Sequence, residues 1–170
     1  MTLPRVCQKE LLQKLTELGI AYDKIEHPEV FTVEQALPHV AHLEGIFAKN
    51  LFLKDKKKQF YLFCAPHDCD VKLNDLSKLV KASGGLRFAD ESVLFEKLGL
   101  TQGSVTVFGL LNDTEHSVKL VLDDRFTNNT YTKIYFHPMV NTSSIGITPQ
   151  GLMTFLKSTG HEPLKINLME

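Results

Sequence analysis

The chain has 170 residues, 43% apolar and 23% charged, with a formal net charge of −1. Those proportions fit a soluble globular protein and exclude a disordered or collagen-like chain, and the balanced charge excludes a uniformly basic nucleic-acid binder. The three cysteines are too few and odd in number for a disulfide framework, no apolar run is long enough to span a bilayer, and Met1 to Arg5 lacks a signal-peptide core, so one domain in the reducing cytoplasm is expected.

In chain order, Val6, Leu11, Leu15 and Leu18 recur at helical spacing and Gly19 supplies a stop, which predicts a helix over residues 6–18. Ile20 to Glu26 alternates like a short strand, ended by His27-Pro28. Thr32 with Gln35 three residues later has the capping-box pattern and predicts a short helix ending near Pro38. Gly45 opens an apolar strand, Asp55 to Lys58 reads as a turn, and Gln59 to Ala65 returns, so residues 46–65 read as a hairpin. Asn74 is the expected cap of a helix to Lys81, closed by Ser83-Gly84-Gly85. Leu86 to Phe88 is extended, and Asp90 caps a helix that stops at Gly99. Gly103 to Leu110 reads as a glycine-bounded loop running into a strand, with Val118 to Leu122 as its return partner. Thr132 to Phe136 and Ser144 to Ile147 are further strands, Thr148-Pro149 starts a helix to Gly160, and Leu164 to Asn167 forms a last strand. About seven strands and four or five helices without regular alternation predict an α+β fold with a mixed, barrel-like sheet.

Charge is unevenly spread. Residues 49–87 carry nine Lys/Arg against four acids, so the segment is +5 and the remainder −6. A local basic face of this kind guides a phosphate chain, although Lys56-Lys57-Lys58 alone reads as a solvated turn.

Within the first hairpin, Lys49 and Asn50 interrupt the apolar run Phe47 to Leu53. Lys49 is either a solvated strand lysine or an ammonium projecting into a cleft toward an anionic ligand. Neighbouring strand residues point to opposite faces, so Asn50 either supports Lys49 from behind or marks a bulge. Cys64, His67 and Cys69 cluster, but the second pair of ligands that a structural zinc site needs is missing and the spacing is not that of a dithiol motif, so no metal is expected. Gly103-Ser104-Val105-Thr106 lacks the Gly-Lys-Ser/Thr ending of a P-loop, yet its backbone N–H groups suit a ligand oxygen. His137, Asn141 and Thr142 group an imidazole, an amide and a hydroxyl on one loop, and no serine or cysteine triad accompanies them.

Several stretches carry one resemblance in order: His27-Pro28 with Thr32-Val33-Glu34, Lys49-Asn50-Leu51-Phe52-Leu53, Leu86-Arg87-Phe88-Ala89, Leu98-Gly99, Gly103-Ser104-Val105-Thr106, Phe108-Gly109-Leu110, Asn112-Asp113, and His137-Pro138 with Asn141-Thr142. Over roughly residues 6 to 165 the chain resembles the freestanding prolyl-tRNA editing domains of the YbaK/ProX family, in the branch that deacylates alanine-charged proline tRNA. The resemblance implies a compact α+β editing fold, hydrolysis of the ester between a misattached amino acid and the 3′-terminal adenosine of tRNA, and no metal or cofactor. It implies that Lys49 is the key functional residue with Asn50 beside it, that Gly103, Ser104, Val105, Thr106 and Val107 hold the substrate, and that His137 lines the pocket. On the same reading Val30, Phe31 and Thr32 size the amino-acid pocket, while Arg87, Asn141 and Thr142 belong to the substrate-binding set. One departure stands out: the family loop reads Gly-x-x-x-Pro, and Val107 occupies the proline position.

Overall fold

A computed structural model describes residues 7–29, 45–128 and 130–167. The expected capping-box helix and Val30, Phe31 and Thr32 lie outside the described residues.

Helix α1 (Gln8–Glu17) buries Leu11 and Leu15 completely and ends where Gly19 turns at φ 72°. The chain then gives its Ile20 N–H to the Leu15 carbonyl, so strand β1 is only Asp23–Glu26, shorter than the expected run from Ile20. Strands β2 (Ile46–Lys54) and β3 (Phe60–Pro66) form the expected antiparallel hairpin. Its turn is built on Asp55, whose carboxylate accepts the Lys57 and Gln59 N–H groups at 2.9 Å each.

Helix α2 (Leu73–Val80) starts with Lys72 at the cap position rather than Asn74. Its burial decides this: Leu76 and Val80 pack inward with Leu73 beside them, and the Lys72 carbonyl accepts the Leu76 N–H. Strand β4 (Arg87–Phe88) and helix α3 (Glu91–Leu98), ended by Gly99 at φ 68°, follow as expected.

Gly103 to Leu110 does not run into a strand: Val107–Asn112 is a 3-10 helix. Thr106 caps it by accepting the Phe108 N–H, and the turn drives Phe108 into the core against Phe136 and Phe155, at ring distances of 5.5 and 5.1 Å. Strand β5 (Val118–Asp123) is therefore no hairpin return; it runs parallel to β3, with Phe60 opposite Val118 and Cys64 opposite Leu122. Apart from exposed Lys119, both its faces are buried, as suits a central parallel strand.

A short 3-10 turn (Asp124–Phe126) leads to β6 (Ile134–Phe136), β7 (Ser143–Ile147), α4 (Pro149–Thr159) and β8 (Leu164–Ile166). Thr148 caps α4 by accepting the Gly151 N–H, and Gly160 closes it at φ 77°.

The eight described strands make one mixed sheet in the order β1-β7-β6-β2-β3-β5-β8, with β4 also paired to β2. This is the expected mixed sheet flanked by helices. Alternate residues separate two cores: Ala48, Phe52, Leu62, Cys64, Leu120 and Leu122 join the larger one, while Leu53, Tyr61, Phe63, Ala65 and Val121 join the smaller. No helix among the described residues is long and apolar enough to cross a membrane.

Candidate active site

The site lies where the first half of β2 meets the ends of β3, β5 and β6. Lys49 is half-buried opposite Ala65, and the β2–β3 register is unbroken from Ala48 to Lys54, so no bulge disturbs it. Directly opposed residues share a face. Lys49 therefore lies on the same face as Ala65, and Asn50 lies on the other face with Cys64. The Cys64 thiol donates to the Asn50 Oδ1 at 2.9 Å, so Asn50 supports the sheet behind Lys49. The Lys49 ammonium donates to the backbone carbonyl of Cys69, in the loop leaving β3. That loop is tied back by the His67 N–H to the Phe47 carbonyl (2.9 Å) and by the Cys69 N–H to the Pro66 carbonyl (3.0 Å).

His137 reaches the same region through the parallel pairing of β2 and β6, in which Phe47 lies opposite Tyr135. Two residues beyond that pair stand Lys49 and His137. The His137 ring meets the Phe47 ring edge-to-face at 5.5 Å, and its Nδ1 lies 3.1 Å from the Ser143 carbonyl. Burial, aided by the nearby His27 ring, holds its pKa below the usual histidine range against the opposing Ser143 bond, so the imidazole is neutral at pH 7.

His27 lies 6.0 Å from His137, ring to ring, and its Nε2 is 2.8 Å from the Ser144 hydroxyl. In the sequence His27 marks only the end of a strand, yet the two His-Pro steps are neighbours here. The β1–β7 register explains this, since Glu26 opposes Ser143 and the next residue lands beside the β6–β7 loop. Asn141 is buried in that loop; Thr142 is exposed and its carbonyl accepts the His27 N–H at 2.9 Å.

The remaining expected site residues lie farther out. In the Gly103 loop Ser104, Thr106 and Val107 are buried, with Val107 and Phe108 in the larger core. Phe108, which follows the loop, meets Phe136, the residue before His137, at a ring distance of 5.5 Å. Arg87 is exposed and pairs with Lys54, at the far end of β2, about 17 Å of strand from Lys49.

The sequence reading missed a further cluster. One residue past the Cys64–Leu122 pair, Asp123 lies beside Ala65 and on the Lys49 face, as Val121 in the smaller core shows. Its carboxylate takes Arg125 bidentately. That pairing, Asp123 foremost, holds the guanidinium above its usual pKa against its own burial. Burial raises the pKa of nearby Tyr131, against the opposing charge of Arg125. Asp-x-Arg after an apolar strand was the available signal, too common by itself to mark a site. Cys64 and Cys69 lie on opposite sides of the sheet, and among the described residues no three metal-ligating side chains converge.

Residues 27–155 match the aminoacyl-tRNA editing domain family. The chain belongs to that family. It is 51% identical, over 94% of its length and 96% of the relative's, to prolyl-tRNA synthetase associated domain-containing protein 1 of Xenopus laevis. It is 33% identical to the prolyl-tRNA editing protein ProX of Acetoanaerobium sticklandii, covering 91% of this chain and 93% of that one. A crystal structure described as a candidate trans-editing enzyme for prolyl tRNA synthetase superposes with a TM-score of 0.69 at 20% identity, over 96% of this chain and 99% of the other, which shows the shared fold.

Proposed function

We propose that the protein is a trans-editing deacylase that hydrolyses the ester of alanine mischarged onto proline tRNA. The observation that carries this reading is the Lys49 ammonium held at the Cys69 carbonyl, on the strand that pairs with the one leading to His137, in a chain of the editing-domain family. A synthetase that must accept proline rejects the smaller alanine by only ~1–3 kcal/mol, so a second, size-limited site is the remedy.

An aminoacyl ester is already activated, and positioning plus electrostatics suffice to open it. Lys49 anchors the phosphate or ribose of the terminal adenosine. The Ser104 N–H is occupied by the Thr101 carbonyl. Other backbone N–H groups of the Gly103 to Val107 loop hold the aminoacyl carbonyl, and Gly103 turns at φ 88°. Water, oriented by the free ribose hydroxyl of the substrate, adds to the carbonyl carbon. The carbon–oxygen bond to the ribose then breaks, and the ribose oxygen takes the proton. His137, neutral, contacts substrate rather than serving as an obligate base. Val30, Phe31 and Thr32 size the amino-acid pocket, and Asn141 and Thr142 complete its rim. Arg87 and the basic 49–87 segment steer the acceptor stem, which makes binding salt-sensitive. The cytoplasm, where charged tRNA is found, is the proposed location, and the three thiols, joined by no disulfide, suit it.

Proline tRNA charged separately with alanine, serine, cysteine and proline tests the reading. The alanyl ester is expected to be released fastest and the prolyl ester spared. Retention of charged tRNA without release of any amino acid would make the protein a tRNA-end binding module instead.

A further inference from the structure

His27, 8% exposed, is fixed at three points. Its backbone N–H donates to the Thr142 carbonyl at 2.9 Å, its Nδ1 lies 2.8 Å from the Pro28 carbonyl, and its Nε2 lies 2.8 Å from the Ser144 hydroxyl. A carbonyl only accepts, so Nδ1 carries the proton, and in the neutral ring Nε2 accepts from Ser144, which is fully buried. With both nitrogens engaged, the ring is held in one orientation. His137 takes its own orientation from the residue between those anchors: its Nδ1 lies 3.1 Å from the Ser143 carbonyl. By the same rule that nitrogen donates, and the neutral His137 ring offers Nε2 as an acceptor. His27 thus grips the residues before and after the carbonyl that sets the His137 tautomer, Thr142 by its backbone and Ser144 by its side chain. The two rings also meet, 6.0 Å apart with planes at 61°, within the range of edge-to-face pairs.

We propose that His27 is a positioning residue for His137: it holds the Thr142–Ser144 backbone so that His137 stays protonated at Nδ1 and presents Nε2 to a hydrogen-bond donor of the substrate. The proposal rests on the deacylase reading only in taking His137 as a substrate contact. His27 itself touches no reacting atom.

The test reads the His137 nitrogens directly. Long-range nitrogen–proton spectra of the nitrogen-15-labelled protein near pH 8, where imidazoles are mostly neutral, distinguish a protonated ring nitrogen from a bare one. The wild type is expected to show His137 in one form, Nδ1 protonated and Nε2 bare. In His27→Ala the two His137 nitrogen shifts are expected to move toward each other as the other tautomer fills. Ser144→Ala removes only the hydroxyl that holds His27 Nε2; it is expected to move the shifts the same way by less, and it carries the test if His27→Ala does not fold. His161, beyond α4 and 2.9 Å from Asp113, is the internal reference and is expected to stay put. A wild-type His137 protonated at Nε2, unchanged His137 shifts in the variants, or an equal displacement at His161 that signals general loosening would overturn the proposal. In the same variants KM for alanine-charged proline tRNA is expected to rise about fivefold, the factor one hydrogen bond is worth, with kcat little changed. Displaced shifts with an unchanged KM uphold the positioning and remove instead the substrate contact given to His137.

Discussion

Asn50 and Cys64 face one another across β2 and β3, the thiol donating to the amide oxygen at 2.9 Å. This pair stands back-to-back with Lys49 and Ala65. The sequence left two readings of Asn50, a bulge or a support, and the unbroken register selects the support.

The same pair makes the thiols unequal. Cys64 is fully buried, and burial pushes its pKa far above the usual thiol range; Cys7 is exposed and Cys69 partly so. A thiolate is the reactive form. Alkylation of the native protein near pH 8 is expected to label Cys7 and Cys69 and to spare Cys64 until denaturant is added, as read by peptide mass spectrometry. Native labelling of Cys64 at the Cys69 rate would contradict the packing.

Val107 stands at the first position of the 3-10 helix, with Thr106 as its cap. Proline is well tolerated there, since its fixed φ suits the first turn and its missing N–H is one the turn does not use. The 3-10 turn therefore gives a physical reason why the family loop accepts proline where this chain has valine. Val107→Pro loses some packing of a buried side chain and gains from a stiffer unfolded chain, so stability is expected to change by less than about 1 kcal/mol. Thermal melting checks this. A loss of several kcal/mol would mean that the Val107 N–H is needed.

Asp113, 3% exposed, accepts from Ser117 and Val118 and lies 2.9 Å from His161 Nε2. Burial alone would raise its pKa; the bonds from His161, Val118 and Ser117 outweigh it and hold the carboxyl down to about 2 from 3.8. A depressed carboxyl stabilises the fold above its unfolded pKa, and that contribution disappears as pH falls from about 4 to about 2, roughly 2 kcal/mol in all. Urea denaturation across that window is expected to show a steeper acid loss in the wild type than in Asp113→Asn. Some slope will remain, because the backbone bonds around Asp55 lower its pKa as well. Identical slopes would contradict the assignment.

Local chemistry explains what was legible in the sequence. The Leu11–Leu15 spacing, the Thr148-Pro149 start and the 46–65 hairpin each specify themselves within a few residues, and all three stand in the structure. The misreadings are non-local. Val105 to Leu110 has strand composition, yet Phe108 finds Phe136 and Phe155, and that packing curls the segment into a turn. Val118 to Leu122 was recognisable as a strand, but its place beside β3 comes from two-sided burial that no local pattern reveals. At the site, Lys49 and His137 were found in the sequence, whereas Arg125 was not. The burial of its partner Asp123 comes from the sheet and shows in no local pattern.

The most direct test of the account is the rate of alanine release from alanine-charged proline tRNA by wild type and Lys49→Ala. Lys49 is half-buried and its bond is to a backbone carbonyl, so the variant is expected to fold and to keep its circular dichroism. Release should fall about a hundredfold, the scale of a substrate misplaced once its anchoring charge is lost. Release by Lys49→Ala at the wild-type rate would contradict the central claim that this ammonium is what the site is built around.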